Sequence, residues 1–167
     1  MDALTRTWFK FCCRVTNVSH RENLEMSQTG SCMCAAVRFT ITVPVTETAA
    51  CHCRMCRKWS GGVFMALQLP ADAVHFDNAD AIRTFVSSPW AERAFCGICG
   101  SNLFYRVTAE GPMQGEIHMA LGVLDDPSGV VLSTELFIDK KPDGFGFAQD
   151  THRMTEAEVM AMFDAPE

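Results

Sequence analysis

Seven of the chain's nine cysteines fall into three clusters: Cys32-Met-Cys34, Cys51-His-Cys53-Arg-Met-Cys56 and Cys96-Gly-Ile-Cys99. Closely spaced thiols clamp a soft metal ion. Zinc takes four protein ligands in a structural site and three, with an open position, where it does chemistry. Seven ligands divide naturally into four and three. The pairs Cys32/Cys34 and Cys96/Cys99 can close one tetrahedral site, and Cys51, Cys53 and Cys56 leave a second ion with a vacancy for substrate. A second division stays open: all seven could serve structural zinc, with His52 or a non-cysteine group completing the middle site. His52 sits between two ligands, so its ring is expected to point away from the metal and to support a ligand or face solvent. A disulfide framework is disfavoured, because no secretory signal is recognisable and disulfides suit oxidising compartments.

The elements that must position these thiols read as mainly β. Val37 to Val43 alternates and is rich in β-branched residues, as a half-buried strand should be. Pro44 ends it, and 45–50 leads a second strand into the middle cluster. Gly61-Gly62 precedes a strand over 63–69, closed by Pro70. Segments 82–86, 92–95, 103–107 and 116–122 supply more. The Cys96-Gly-Ile-Cys99-Gly100 turn reads as a knuckle joining a hairpin. Only the C-terminus reads as a helix: Thr155-Glu-Ala-Glu158 is a capping box, followed by Val159, Met160 and Phe163 at helical spacing.

At 167 residues the chain suits one domain with a real core, and 48% hydrophobic content argues for a folded protein. The net charge of −6 and pI near 5.3 argue against nucleic acid as a partner, and no basic stripe runs along any predicted element. No apolar run approaches membrane-spanning length. A reducing, cytoplasmic setting is expected, where thiolates persist as ligands. Residues 1–25 differ from the rest: four cations against three anions give +1, leaving −7 for the remainder. They carry Trp8, Phe9, Phe11, Cys12 and Cys13 without periodicity, and read as a poorly ordered extension ahead of a domain over 26–167. Met26 is a candidate start.

Gly30-Ser-Cys32-Met-Cys34, Cys51-His-Cys53-Arg-Met-Cys56-Arg-Lys58 and Phe95-Cys96-Gly-Ile-Cys99-Gly-Ser101, with Leu121 to Pro127 and Phe137 to Asp143, resemble the glutathione-dependent formaldehyde-activating enzyme family. That family is also called S-(hydroxymethyl)glutathione synthase, and centromere protein V is a relative. The resemblance runs from about Gly30 to the C-terminus. It implies a β-tent fold, antiparallel sheets pinned by a structural zinc on Cys32, Cys34, Cys96 and Cys99. It further implies a catalytic zinc on Cys51, Cys53 and Cys56, and a carbon–sulfur lyase acting on glutathione and formaldehyde.

The chemistry is reasonable on physical grounds. A thiol of pKa about 8.5 is only a few per cent ionised at neutral pH, and metal coordination removes its proton. Three thiolates leave a zinc centre at −1, which favours capturing and orienting the thiol over polarising the aldehyde. Glutathione is anionic and the chain acidic, so Arg54, Arg57 and Lys58 are candidates for carboxylate contacts. The same three could equally be a solvated loop or cations offsetting thiolate charge. Trp59 and Phe64 read as pocket wall or core. A zinc-stabilised binding module without turnover is the competing class. Methionine sulfoxide reduction is disfavoured, since only Cys12 and Cys13 remain as free thiols. Oligomeric state does not follow from the sequence. Deletion up to Met26 is expected to leave the melting temperature and zinc content unchanged. A substantial loss of stability on truncation would show that Trp8, Phe9 and Phe11 are docked.

Overall fold

The computed structural model describes residues 27–164. The extension read over 1–25, with Cys12 and Cys13, lies outside the described residues, as does the side chain of Phe163. Among the described residues eleven strands form two sheets. The smaller contains β1 (Gln28–Ser31), β2 (Arg38–Ile41) and β5 (Val74–Phe76) in the order β1-β2-β5. The larger is built from β3 (Glu47–Cys51), β4 (Phe64–Leu69), β6 (Ile82–Ser88), β7 (Ala91–Cys96), β8 (Asn102–Val107), β9 (Ile117–Ala120), β10 (Val131–Leu136) and β11 (His152–Met154). Its order is β11-β10-β3-β4-β9-β8-β7-β6. Among the described residues two α-helices complete the fold, α1 (Arg54–Ser60) and α2 (Glu156–Asp164).

Alternation decides which side of each strand is buried. Phe39 and Ile41 of β2 meet Leu67, Leu69, Phe104, Ile117 and Met119 of the large sheet in one apolar core between the sheets. Gly30 is needed where β1 crosses the other layer. A Cβ there would run into the Phe39 ring and the Val123 carbonyl oxygen, so only glycine lets the strand approach. Asp125 fastens the same crossing by accepting from the hydroxyls of Thr29 at 2.8 Å and Ser31 at 3.3 Å.

The mainly β expectation is met, and seven expected strands are present within a few residues. Most neighbours are antiparallel, but β10 pairs in parallel with both β3 and β11, a margin the sequence reading did not contain. The reading of a single helix is corrected: residues 54–60 form α1, carrying the last thiol of the middle cluster. At the C-terminus the capping box closes as read, with Thr155 N–H and hydroxyl both donating to Glu158 Oε2 at 2.7 Å. Val159 is buried, but Met160 faces solvent at 46% exposure rather than joining an apolar face.

The parallel margin is held by a buried hydrogen-bonded pair. His52 follows β3 and is fully buried, with Nε2 3.0 Å from Glu135 Oε2 on β10. The other Glu135 oxygen accepts from Thr151 Oγ1 at 2.6 Å and Arg153 Nε at 3.2 Å. Phe145 and Phe147 flank the imidazole, with ring centroids 5.8 and 6.3 Å away. Burial pushes the Glu135 carboxyl up, but its hydrogen bonds from Thr151, His52 and Arg153 prevail and hold it below the ordinary carboxylate range. A carboxylate held down in the fold stabilises above its unfolded pKa, and that stability is lost as pH falls through the folded value. The melting temperature should therefore drop on acidification below about pH 4. Glu135→Gln should be less stable at neutral pH and flatter on the acid side; a melting curve with wild-type acid dependence would contradict this account.

Candidate functional site

Both sets of thiols that the sequence singled out converge. Cys32, Cys34, Cys96 and Cys99 place their sulfurs within 4.8 Å of one another, and Cys51, Cys53 and Cys56 do the same separately. The seven are free thiols, so the disulfide reading is set aside. Around a tetrahedral zinc with bonds of about 2.3 Å, sulfurs stand about 3.8 Å apart. Cys32 to Cys34 is 3.5 Å and Cys34 to Cys96 is 3.8 Å, so the donor set fits such an ion.

The four-cysteine cluster lies at the seam of the sheets. A tight turn after β1 presents Cys32 and Cys34: Ala35 takes a left-handed φ of 57°, and its N–H donates to Cys32 O at 2.8 Å. The knuckle between β7 and β8 presents Cys96 and Cys99, closed by Gly100 with φ of 76° and its N–H on Cys96 O at 2.9 Å. Backbone amides point at the sulfurs, Val37 N to Cys32 at 3.3 Å and Ile98 N to Cys96 at 3.4 Å. The Ser101 hydroxyl, 3.2 Å from the Cys99 sulfur, lowers that thiol to a pKa of about 5.

The middle cluster sits on the other face of the large sheet. Cys51 ends β3, Cys53 caps α1 by accepting from Cys56 N at 3.3 Å, and Cys56 lies in the first turn. A spacing of three in a helix puts successive residues on one side, so cap and turn aim both sulfurs at Cys51. Alternation sends His52 to the back, away from the thiols. It joins neither thiol cluster and is not a surface histidine; it anchors the backbone between Cys51 and Cys53. Hydrogen bonding to Cys53 and Cys56, then burial, keeps the Cys51 proton on, while the Cys51 bond drives Cys53 far down. Groups that repel once ionised and are held in contact are what a shared cation relieves.

One cation is present that the sequence reading missed. Arg93 of β7 is only 3% exposed, and its Nη2 donates to the Cys56 sulfur at 3.5 Å. The register explains its position. Phe85, Arg93, Tyr105, His118 and Gln68 form one row across β6, β7, β8, β9 and β4, and α1 lies over it. The guanidinium carbon stands 5.9 Å from the Trp59 ring and 5.3 Å from the Tyr105 ring. Burial raises the Tyr105 hydroxyl to about 12, so it is a neutral donor at physiological pH. An arginine inside the Ala91-Glu-Arg-Ala94 strand was the available signal, since a charged residue at an inward position needs a partner.

Of the proposed basic residues, Arg54 and Lys58 are exposed on α1, while Arg57 is half-buried with Nε donating to the His52 carbonyl at 2.9 Å. Phe64 and Ala120 pack on the cysteines and also line a depression of about 450 Å³ with Ser60, Met65, Asn102 and Leu121. None of the three basic residues lines it. Trp59 belongs to the aromatic cluster instead, stacked on Phe85 at 6.3 Å and edge-on to Phe95 at 5.8 Å.

Two sheets joined at a four-thiol seam, with a second three-thiol centre on the outer face, define a mainly β, metal-competent cysteine protein. The family model described as glutathione-dependent formaldehyde-activating enzyme matches residues 27–140. The chain belongs to this family. It is 30% identical over 132 residues to an uncharacterized lyase of Schizosaccharomyces pombe, covering 78% of this chain and 93% of that one. A putative glutathione-dependent formaldehyde-activating enzyme of Halomonas elongata is 38% identical over 84 residues, 45% of this chain and 53% of that protein. One of the same description from Podospora anserina is 31% identical over 88 residues, 50% of this chain and 41% of that one. The chain thus spans about half the length of these latter two. A crystal structure of a Rhodobacter sphaeroides protein, 18% identical, superposes with a TM-score of 0.46 over 63% of this chain and 99% of that one.

The two clusters should respond differently to loss of a ligand. Serine at Cys32, Cys34, Cys96 or Cys99 should lower the melting temperature by roughly 10 °C or more, or leave the chain insoluble, because metal binding at such a seam is folding energy. Normally stable single variants at all four positions would contradict the assignment.

Proposed function

We propose that the chain is a zinc-dependent carbon–sulfur lyase that forms S-(hydroxymethyl)glutathione from glutathione and formaldehyde, and runs the reverse cleavage. The supporting observation is the convergence of three thiols, within 4.8 Å of one another, beside a buried guanidinium and an apolar depression. Cys51, Cys53 and Cys56 would hold a zinc ion there, and Cys32, Cys34, Cys96 and Cys99 a second, structural one. The bound ion lowers the pKa of a thiol ligand and can polarise an aldehyde oxygen. This fits the chain's family and the lyase description of its Schizosaccharomyces pombe relative.

In the forward direction the glutathione sulfur forms a bond to the formaldehyde carbon. The carbonyl π bond breaks, and the proton lost from sulfur ends on the new hydroxyl oxygen. The chain's residues bind and orient. Phe64, Ala120 and Leu121 wall the depression where the small aldehyde meets the sulfur. The Arg93 guanidinium places positive potential where sulfur carries negative charge. Arg54 and Lys58, exposed beside the thiols, attract the glutathione carboxylates. Arg57 adds to that field, although its Nε is engaged in holding the ligand-bearing backbone. A reducing cytoplasm, where glutathione is abundant and thiols stay reduced, is the setting this reading calls for.

The zinc-loaded full chain should accelerate hemithioacetal formation from glutathione and formaldehyde above the spontaneous rate at matched pH, followed by NMR. Serine at Cys51, Cys53 or Cys56 should return the rate to the spontaneous value while the melting temperature stays within about 5 °C of wild type. No acceleration and no glutathione binding by the zinc-loaded chain would sink the proposal and favour a zinc-stabilised binding module.

A further inference from the structure

The two thiol clusters differ in how their negative charge is met. At the four-cysteine seam the sulfurs receive backbone N–H groups of Val37 and Ile98 and contact the Ser101 hydroxyl. Among the described residues, no cationic side chain hydrogen-bonds a sulfur there. At the middle cluster a guanidinium does so, and it is one of the most deeply buried charged groups in the fold. Arg93 has no carboxylate within ion-pair distance among the described residues. An uncompensated buried charge is strongly destabilising, so Arg93 is retained for what it faces. What it faces is Cys56, whose sulfur lies within 4.8 Å of those of Cys51 and Cys53.

The charge arithmetic then separates the sites. Four thiolates on a divalent ion leave −2, a closed centre that amide dipoles suffice to stabilise. Three thiolates leave −1, and Arg93 brings the middle centre to neutrality. A further anionic sulfur can enter a neutral centre; entering one at −1 it meets repulsion in a poorly screened interior. The guanidinium fork is aimed for this. Trp59 and Tyr105 flank its plane, Nη2 is on Cys56, and Nη1 is buried without a hydrogen-bond partner. No competing acceptor holds that nitrogen, so the guanidinium charge is directed at the Cys56 sulfur.

We infer that Arg93 balances the charge of a metal–thiolate centre on Cys51, Cys53 and Cys56 and so allows it to accept a further anionic sulfur. This rests on the middle cluster holding a metal, but not on which thiol or aldehyde the protein uses. Arg93 acts through the sulfurs and is a positioning residue.

The test uses the full chain loaded with zinc, or with cobalt as a coloured substitute. Mass spectrometry against graded chelator reads the two ions separately. In Arg93→Met the middle ion should be lost at roughly 10- to 100-fold lower chelator, with the four-cysteine ion unchanged and Arg93→Lys intermediate. Cobalt-loaded wild type should take up 2-mercaptoethanol with a stronger sulfur-to-metal charge-transfer band, and Arg93→Met should need at least about tenfold more thiol. A middle ion held within twofold of wild type in Arg93→Met overturns the inference. So does equal loss of both ions, which would mean that Arg93 supports the sheet. If Arg93→Met does not fold, the wild type decides: the Arg93 guanidinium 15N signals should shift when the middle site is filled, and unmoved signals overturn the inference. Absence of hemithioacetal turnover in wild type would sink the proposed function and leave these metal affinities standing.

Discussion

Sulfur atoms gathered within contact of one another repel as soon as they ionise, and this chain gathers seven of them into two such groups. Each group therefore needs positive charge, and the surrounding structure is arranged to supply it. At the seam, the turn after β1 and the knuckle after β7 aim backbone amides at sulfur, which requires a left-handed residue in each, Ala35 and Gly100. The two sheets share an apolar core, and β1 bridges at Gly30 to Leu124 in the segment after β9. The thiols of Cys34 and Cys96, 62 residues apart in the chain, stand 3.8 Å apart where the layers meet. A seam of this kind compensates for a small sheet that could bury little apolar surface alone.

The middle group meets the same constraint by a different route. Its thiols come from a strand end, a cap and a helical turn, all within six residues, so loop closure costs little entropy. Local geometry could not provide the neutralising cation, because α1 directs Arg54 and Lys58 to solvent. It comes from across the sheet: β7 delivers Arg93 from 37 residues away, and the aromatic row fixes its plane. A residue buried against the Cys56 thiol and two rings has few alternative rotamers. The guanidinium is thus pre-organised before any substrate arrives.

Alternation along one short stretch separates chemistry from scaffolding. Cys51 and Cys53 face the thiol centre, while His52 between them turns to the opposite side and pairs with Glu135. That pair, joined by Thr151 and Arg153, locks the parallel strands β10 and β11 behind the ligand-bearing segment. Asp139, accepting from Glu156 N–H at 2.8 Å, then ties α2 to the turn after β10. The C-terminal third of the chain, which contributes no thiol, thereby holds the ligand backbone rigid.

By itself the sequence determined which seven thiols gather, their four-and-three division, most strands of the large sheet and the capped terminal helix. These follow from spacing and period, which are local: cysteine pairs two or three apart, alternation of two, a Thr and a Glu three apart. What failed to read locally was α1, since seven residues holding one thiol, a tryptophan and three cations carry no apolar stripe, and their helix is stabilised by packing on the sheet. Strands β1, β5, β10 and β11 were also missed, because four-residue or three-residue segments and one strand joined in parallel lack a strong period of their own. Only the tertiary structure decided that Arg93 faces Cys56, that Tyr105 and Trp59 enclose it, and that His52 is an anchor paired with Glu135. Each of these depends on register between strands distant in sequence, and register is set by the packing of whole sheets.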